Sequence, residues 1–332
     1  MQKSILTGRK IAAFIITIIG VLLVFFWAVN TGGLQTTILQ LLNGLFVEYD
    51  ETVAIILELR FPRIIVAILG GALMAVAGVL MQAVMKNPLA DPGIIGITSG
   101  AAVTAVIITA IFPALAMFTP VFSFIGGLIA FALVYTLAWN GQISPIRLIL
   151  VGIAINALFT GLLQAFTSAT GGSYSGAQSI VNANISLKTW VDVKILLIYV
   201  IIAAVCCVLI AGKCNLLALS DQTMHGLGIN VSRMRVVISV ISVLMASIFT
   251  AVIGSVSFLG LIVPHIARLI VGSDNKVLIP YSACLGALIF LVADTVGRTI
   301  AYPYEINSSI IMSIIGGPMF IILLKRSRGV YG

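Results

Sequence analysis

The sequence predicts an all-α polytopic membrane protein, because it is long, strongly apolar and divided into uncharged runs that match a bilayer. The chain has 332 residues, of which 61% are hydrophobic and only 8% are charged. A soluble protein carries about 25% charged residues. Uncharged runs such as 11–47 and 92–146 are long enough for one or two membrane-crossing helices of about 20 residues each. These observations exclude a water-soluble enzyme or binding domain.

Breaks in the apolar runs predict ten transmembrane helices, of which one is short. Nine have ordinary lengths, and they are expected near 11–29, 62–85, 93–111, 119–139, 146–168, 193–211, 234–253, 277–297 and 306–324. The tenth lies near 258–271, where about 21 Å of helix falls short of the roughly 30 Å hydrocarbon core. Pro264 is expected to break this helix. Such a helix needs protein or a water-filled cavity around its loose backbone, and helices of this kind often line a transport path.

The positions of the basic residues decide whether the short helix counts as a span. If it does, both termini lie on one side, and that side holds most of the 18 Lys and Arg residues. The opposite side then holds only Arg60, Arg63, Lys188, Lys194 and Arg298. If it does not, the basic residues divide equally between the two sides. The positive-inside rule therefore predicts one transmembrane domain over 1–332 with both termini in the cytoplasm.

Small residues in the second span predict close helix packing. Ala67, Gly71 and Ala75 recur every four residues, and Gly70 and Gly78 lie beside them. Small side chains allow two helix backbones to approach closely within a membrane. We expect this face to contact another helix.

Several kinds of chemistry are missing from the sequence. It contains no G-x-x-x-x-G-K-[ST] phosphate loop, so this chain is not expected to hydrolyse ATP by that route. An intramembrane serine protease would need a serine and a histidine base, but nothing in the sequence places Ser99 near His265. The four cysteines lack metal-site spacing, and no basic block suggests nucleic acid as a partner. We expect no catalytic residue and no metal or cofactor site.

Four blocks of sequence, in order, resemble one known family. They are Arg60-Phe61-Pro62-Arg63 with Asn87-Pro88-Leu89-Ala90-Asp91-Pro92, then Gly254 to Arg268, then Ala293-Asp294 to Arg298, and last Ile315-Gly316-Gly317-Pro318-Met319-Phe320-Ile321. They are similar to the signature blocks of FecCD-type permeases, the membrane subunits of type II ABC importers for iron-siderophores, haem and cobalamin. The resemblance runs from about residue 10 to 326.

This resemblance implies a multi-pass permease in the bacterial cell membrane that imports a metal chelate by alternating access. It implies a second permease subunit, identical or related, and an extracytoplasmic substrate-binding protein. A cytoplasmic ATPase dimer would hold the ATP and Mg. No cofactor would be bound by this chain, whose other surroundings would be the lipid bilayer.

The resemblance also implies a docking site for the binding protein, formed by Arg60, Arg63 and Arg298. Planar guanidinium groups suit carboxylates on a partner, because a bidentate pair fixes orientation as well as attraction. The alternative is that these arginines extend to the membrane surface or pair within the chain. Arg298 lies one helical turn after Asp294, a spacing that supports such a local pair.

The cytoplasmic loop 213–232 resembles the family's ATPase-coupling segment, and its glycines predict two short helices. The coupling residues carried over are Leu219, Ser220, Asp221, His225, Gly226, Leu227 and Gly228. Ser220 and Met224 depart from the family pattern, in which glycine and alanine are common there. The alternative is an ordinary solvated loop.

The turn Asn87-Pro88-Leu89, together with Ser144, matches the family's inner gate. Two prolines within five residues prevent a helix and favour an extended backbone. A plain tight turn is the alternative.

The segment Ile306–Ser309 departs from the family, which usually has Glu-Leu-Pro-Val-Gly before the last span. Glu305-Ile306-Asn307-Ser308-Ser309 stands there instead, and we expect the mouth of the pathway to differ.

The alternative function is a secondary transporter driven by an ion gradient. Such transporters usually keep a carboxylate near the bilayer midplane. The acidic residues of this chain are predicted at span ends or in loops, so the sequence favours the ABC permease.

Overall fold

The computed structural model describes residues 2–31, 36–140, 142–143, 145–171 and 175–327, and this part of the chain is helical. Its one strand pairing is two residues long on each side, Trp139–Asn140 against Gln142–Ile143. A 3₁₀ helix spans Pro113–Phe118. The α-helices are α1 (Gln2–Asn30), α2 (Ile38–Phe46), α3 (Glu51–Leu59), α4 (Phe61–Met85), α5 (Ile97–Ile111), α6 (Thr119–Ala138), α7 (Pro145–Ala169), α8 (Ser175–Val181), α9 (Trp190–Leu216), α10 (Asp221–Gly226), α11 (Val231–Ile253), α12 (Leu259–Val271), α13 (Asn275–Ile300) and α14 (Ser308–Ser327).

Each of the ten predicted spans corresponds to an apolar helix. Within the described residues, seven helical stretches are long and apolar enough to cross a membrane. They are Gly8–Asn30, Glu51–Met85, Pro113–Ala138, Arg147–Ala169, Trp190–Leu216, Val231–Ile253 and Asn275–Ile300. Three shorter apolar helices are Ile97–Ile111, Leu259–Val271 and Ser308–Leu323. The sequence did not predict α2, α3 or α8.

Helix α4 forms the centre of the fold and packs against α11, α12 and α13. A Cβ atom on Gly71 would clash with the Gly286 carbonyl of α13, and one on Gly78 would clash with the Gly260 carbonyl of α12. Only glycine allows these approaches, in which the helix backbones touch. The predicted small-residue face of the second span is therefore confirmed.

The prediction that Pro264 breaks the short helix is wrong, because α12 is continuous from Leu259 to Val271. Pro264 removes the N–H that would bond to the Gly260 carbonyl. That carbonyl instead lies directly against the backbone of Gly78 of α4. Non-helical backbone occurs before the helix, between Gly254 (φ 105°) and Phe258 (φ 67°).

The prediction of two short helices in 213–232 is also wrong, because the structure has a single helix, α10, within this segment. The preceding helix α9 continues to Leu216, which takes up the first part of the segment. Gly228 then adopts a left-handed conformation (φ 72°) and redirects the chain into α11. Gly226 and Gly228 therefore mark the end of α10, and they do not divide the segment into two short helices.

Candidate functional site

Arg63 joins three segments at one end of the helix bundle. Arg63 belongs to the first turn of α4. Its Nη2 lies 2.9 Å from Oδ1 of Asp294, and its Nε lies 3.1 Å from Oδ2 of the same carboxylate. Asp294 belongs to α13. Arg63 Nη1 also donates to Oε2 of Glu305 at 2.8 Å, in the segment before α14. Arg63 and Asp294 are 7% and 1% exposed, so this is a buried bidentate pair of the strong kind.

Arg298 and Arg60 lie beside this pair. Arg298 is also buried, and its Nε lies 3.3 Å from Oδ2 of Asp294, one helical turn earlier. Its Nη1 donates weakly to the Ala28 carbonyl at 3.4 Å. Arg60, at the junction of α3 and α4, is partly exposed and donates to the Val29 carbonyl. The local pairing of Arg298 with Asp294 that the sequence suggested is thus present.

The three arginines line one open cavity of about 280 Å³. Tyr302 and Glu305 line the same cavity. Burial raises the pKa of Glu305, but a hydrogen bond from Ser186 and the charge of Arg63 outweigh it, so the pKa is below its usual value. Three guanidinium groups therefore face two carboxylates, and the outer cluster (Arg60, Arg63, Asp294, Arg298 and Glu305) keeps an excess positive charge.

At the opposite end of α4, a second set of charges joins α10 to α4 and α11. The Lys86 ammonium lies 3.0 Å from Oδ1 of Asp221, and Arg235 Nη2 lies 2.9 Å from the same oxygen. Lys86 also donates to the Leu219 carbonyl. The hydrogen bond from Lys86 and the charge of Arg235 lower the pKa of Asp221, although slight burial opposes them. We call Lys86, Asp221 and Arg235 the inner network.

Helix α10 is anchored by one buried side chain and capped by another residue. Ser220 is the N-cap, and its hydroxyl accepts a hydrogen bond from the Thr223 N–H at 3.1 Å. Met224 is fully buried beneath the helix. Glycine at 220 could not supply this cap, and alanine at 224 would leave a gap. The two departures from the family pattern therefore have structural roles.

The remaining predicted coupling residues lie on the exposed side of this segment. Leu227 is 62% exposed and Leu219 is 38% exposed, and His225, Gly226 and Gly228 are exposed as well. An apolar residue exposed beyond the end of a membrane span suits contact with another protein.

The turn predicted as a gate begins directly after Lys86. Lys86 ends α4 in a left-handed conformation (φ 47°), and the Asn87 side chain accepts from the Leu89 N–H at 2.9 Å, which fixes an Asx turn. Asn87 and Leu89, together with Lys86, Asp91 and Arg235, line a cavity of about 170 Å³. Ser144 lies outside the described residues.

Sequence reasoning did not find Glu305 as a partner of Arg63, or Lys86 and Arg235 as partners of Asp221. The sequence did hold one signal for such pairs, which is the presence of opposite charges at helix ends that are predicted on the same side of the membrane. Lys86, Asp221 and Arg235 were all predicted in the cytoplasm, and opposite charges there could have been paired. The Arg63–Glu305 and Lys86–Asp221 pairs each span more than 130 residues, so finding them needs the fold, because it depends on which helices are neighbours.

Comparison with known proteins places the chain in a family. A model of the FecCD transport family matches residues 10–326. The chain is 38% identical over 290 residues to the "Probable heme-iron transport system permease protein IsdF" of Staphylococcus aureus (strain Newman), covering 86% of this chain and 88% of that protein. The IsdF of strain MSSA476 is 37% identical and covers 90% of each.

Two solved structures have a similar fold. The structure titled "An inward-facing conformation of a putative metal-chelate type ABC transporter" matches with a TM-score of 0.75 and 26% identity, covering 98% of this chain and 99% of that one. PsaBC from Streptococcus pneumoniae shares the fold, with a TM-score of 0.58 and 15% identity over 86% of this chain and 95% of that one. The chain belongs to the FecCD transport family.

Proposed function

We propose that this permease imports an iron chelate, haem or a ferric siderophore, across the bacterial cell membrane by alternating access. It would work with a second permease subunit, a cytoplasmic ATPase dimer and an extracytoplasmic binding protein. The similarity to IsdF supports an iron-containing ligand. The absence of a phosphate loop from the sequence supports a separate ATPase.

The observation that carries this proposal is the direct bonding of α10 to the start of the gate turn. Asp221 is the first residue of α10, and Lys86 is the last residue before Asn87. A force on α10 from a docked ATPase would therefore reach the turn through one ion pair. We assign ATPase coupling to the exposed side of α10 and gating to Asn87-Pro88-Leu89.

The topology proposed is ten spans with both termini in the cytoplasm. Seven long and three shorter apolar helices within the described residues support that number. The positive-inside rule supports the orientation, because the inner network then lies on the ATPase side and the outer cluster on the binding-protein side.

Docking of the binding protein is assigned to the outer cluster. Arg60 is the arginine that reaches the surface, whereas Arg63 and Arg298 are more than nine-tenths buried. Docking through Arg63 or Arg298 would require their contacts with Asp294 to open. Their contribution in this conformation is to hold positive charge beneath Arg60, where it attracts acidic groups.

Reconstitution tests the proposal against the secondary transporter. The permease, its copurified ATPase and the binding protein would be placed in vesicles, with haem or a ferric trihydroxamate as ligand. We expect uptake that requires ATP and is inhibited by vanadate. Uptake that persists without ATP and is abolished by collapsing ion gradients would contradict the proposal.

A further inference from the structure

Four serine hydroxyls line an open cavity that neither the docking, the coupling nor the gate region uses. The cavity has a volume of about 470 Å³ and lies between the segment 254–258 and the first turns of α14. Its lining residues are Ser255, Ser257, Ser309, Ile310, Ser313 and Ile314. Most of them carry a hydroxyl and none carries a charge.

The helix contacts place this cavity in the interior of the membrane. Gly260 touches Gly78 of α4, seven residues before α4 ends at Met85. At a rise of about 1.5 Å per residue, Gly260 lies about 10 Å from the inner end of α4. Ser257 and Ser255 precede Gly260, and they follow Ile253, the last residue of α11, which packs against Gly70 of α4.

The α14 side of the cavity lies at a similar depth. Gly316 packs directly against the Phe258 side chain, and the rings of Phe258 and Phe320 are 6.1 Å apart. Ser313 is therefore close to the level of Phe258, and Ser309 lies one turn further out. All four serines fall between the two ends of α4.

Exposed hydroxyls and non-helical backbone at this depth are incompatible with lipid. Ser255, Ser257 and Ser313 are exposed, and the backbone from Gly254 to Phe258 is not helical. Lipid chains cannot hydrogen-bond to such groups, so irregular backbone at membrane depth is tolerated only when protein or a water-filled cavity covers it. This surface is therefore not lipid-facing in the assembled importer, and it is covered either by protein or by a water-filled cavity.

The hydroxyls are only partly engaged within the chain. Ser313 donates to the Ser309 carbonyl at 2.8 Å, and Ser255 lies 3.5 Å from the Thr98 hydroxyl. In the part of the chain that the structure describes, the Ser257 and Ser309 hydroxyls have no hydrogen-bond partner. Ser309 also stands where the family usually has glycine, so this chain adds a donor at that position.

We propose that these four serines form the ligand-contacting section of the transport pathway. The ligand it takes is a chelate with oxygen acceptors on its periphery, such as hydroxamate or carboxylate oxygens, held by hydrogen bonds from neutral hydroxyls. The inference rests on the proposed import function. Neutral donors suit a pathway, because a ligand must be able to leave after it has entered.

Cysteine accessibility tests whether the cavity is aqueous. In a background with Cys206, Cys207, Cys214 and Cys284 replaced by alanine, Ser257→Cys, Ser309→Cys and Ser313→Cys would each be exposed to a charged thiol reagent in the reconstituted complex. The control is Val205→Cys on α9, an apolar position that is 56% exposed and also within the membrane. Because only a hydrated thiolate reacts, we expect the serine positions to react at least about tenfold faster than the control. Equal rates would overturn the proposal.

A pair of substitutions of similar shape tests contact with the ligand. Ser309→Thr keeps the hydroxyl, whereas Ser309→Val replaces it with a methyl group. We expect uptake of a ferric trihydroxamate to be several-fold slower in the valine variant than in the threonine variant, because the loss of one hydrogen bond to the ligand has an effect of about that size. Equal uptake by both would overturn ligand contact. ATP-dependent uptake by the cysteine-free parent is measured first, so failure of the import function itself is seen separately.

Discussion

The outer cluster and the inner network lie at opposite ends of the same helix and differ in burial. The side chains of Arg63 and Asp294 are 8% and 1% exposed, whereas those of Lys86 and Asp221 are 34% and 46% exposed. A buried pair is costly to break, because one charge would be left without compensation. An exposed pair contributes little and exchanges partners easily. The outer cluster is therefore a fixed joint between α4 and α13, and the inner network is a joint that can open.

This difference gives α4 a mechanical role. Its first turn is held to α13 by Arg63, and Lys86, the residue directly after its end, is attached to α10. Glycines along its length fit against α12 and α13, so the helix has little freedom to bend away. We infer that movement of α10 changes the gate turn while the outer end stays in place.

The largest expected effect comes from removing the shared carboxylate of the outer cluster. Asp294→Asn would leave Arg63 and Arg298 buried without a full counter-charge, which costs about 3–5 kcal/mol. The measurement is the thermal unfolding of the purified permease in detergent. The matched control is Lys194→Gln, an exposed cation near the start of α9, whose change is expected within about 0.5 kcal/mol. Similar midpoints for both variants would show that the outer cluster is not a fixed joint.

A smaller effect is expected from the arginine that reaches the surface. Arg60→Glu should weaken association with the loaded binding protein about tenfold, mainly by slowing association, because it reverses a charge at the rim of the docking surface. Lys194→Glu reverses an exposed charge at the same end of the bundle and should leave association nearly unchanged. Binding is measured at two salt concentrations. Equal affinity for wild type and Arg60→Glu would remove Arg60 from the docking site.

Loss of the α10 cap should have a slight effect. Ser220→Gly removes the hydroxyl that accepts from Thr223 but keeps a residue that tolerates the N-cap conformation, so the loss is a few tenths of a kcal/mol. We expect nearly normal copurification of the ATPase. Loss of the ATPase from this variant would mean that the Ser220 hydroxyl contacts the partner directly.

No effect is expected from pH near neutrality. The folded state lowers the pKa of Asp221 and of Glu305, so their interactions are complete above the unfolded values and are lost as pH falls through the lowered folded values. The unfolding midpoint difference between wild type and Asp221→Asn should therefore stay constant between about pH 5.5 and 8 and shrink below about pH 4. A difference that disappears between pH 8 and 6 would contradict the assigned pairing.

Sequence reasoning identified the helices and the small-residue face, because both depend on local patterns of apolar and small residues. It could not find the pairing of Arg63 with Glu305 or of Lys86 with Asp221, because each depends on which distant helix ends meet. It also misjudged Pro264, since the carbonyl that this proline leaves without a partner is accommodated by Gly78 on another helix. The serine cavity escaped notice because single serines in apolar runs carry no pattern of their own.

The central claim is that the Lys86–Asp221 pair transmits the state of the ATPase to the gate turn. The most direct test is the amount of ligand taken up per ATP hydrolysed, in vesicles, for wild type, Lys86→Gln, Asp221→Asn and the double variant. We expect each single variant to lower this ratio about tenfold, with ATPase copurification unchanged, and the double variant to be no worse than either, because all three lack the same interaction. Single variants with the wild-type ratio, or a double variant whose loss is the product of the two single losses, would contradict it.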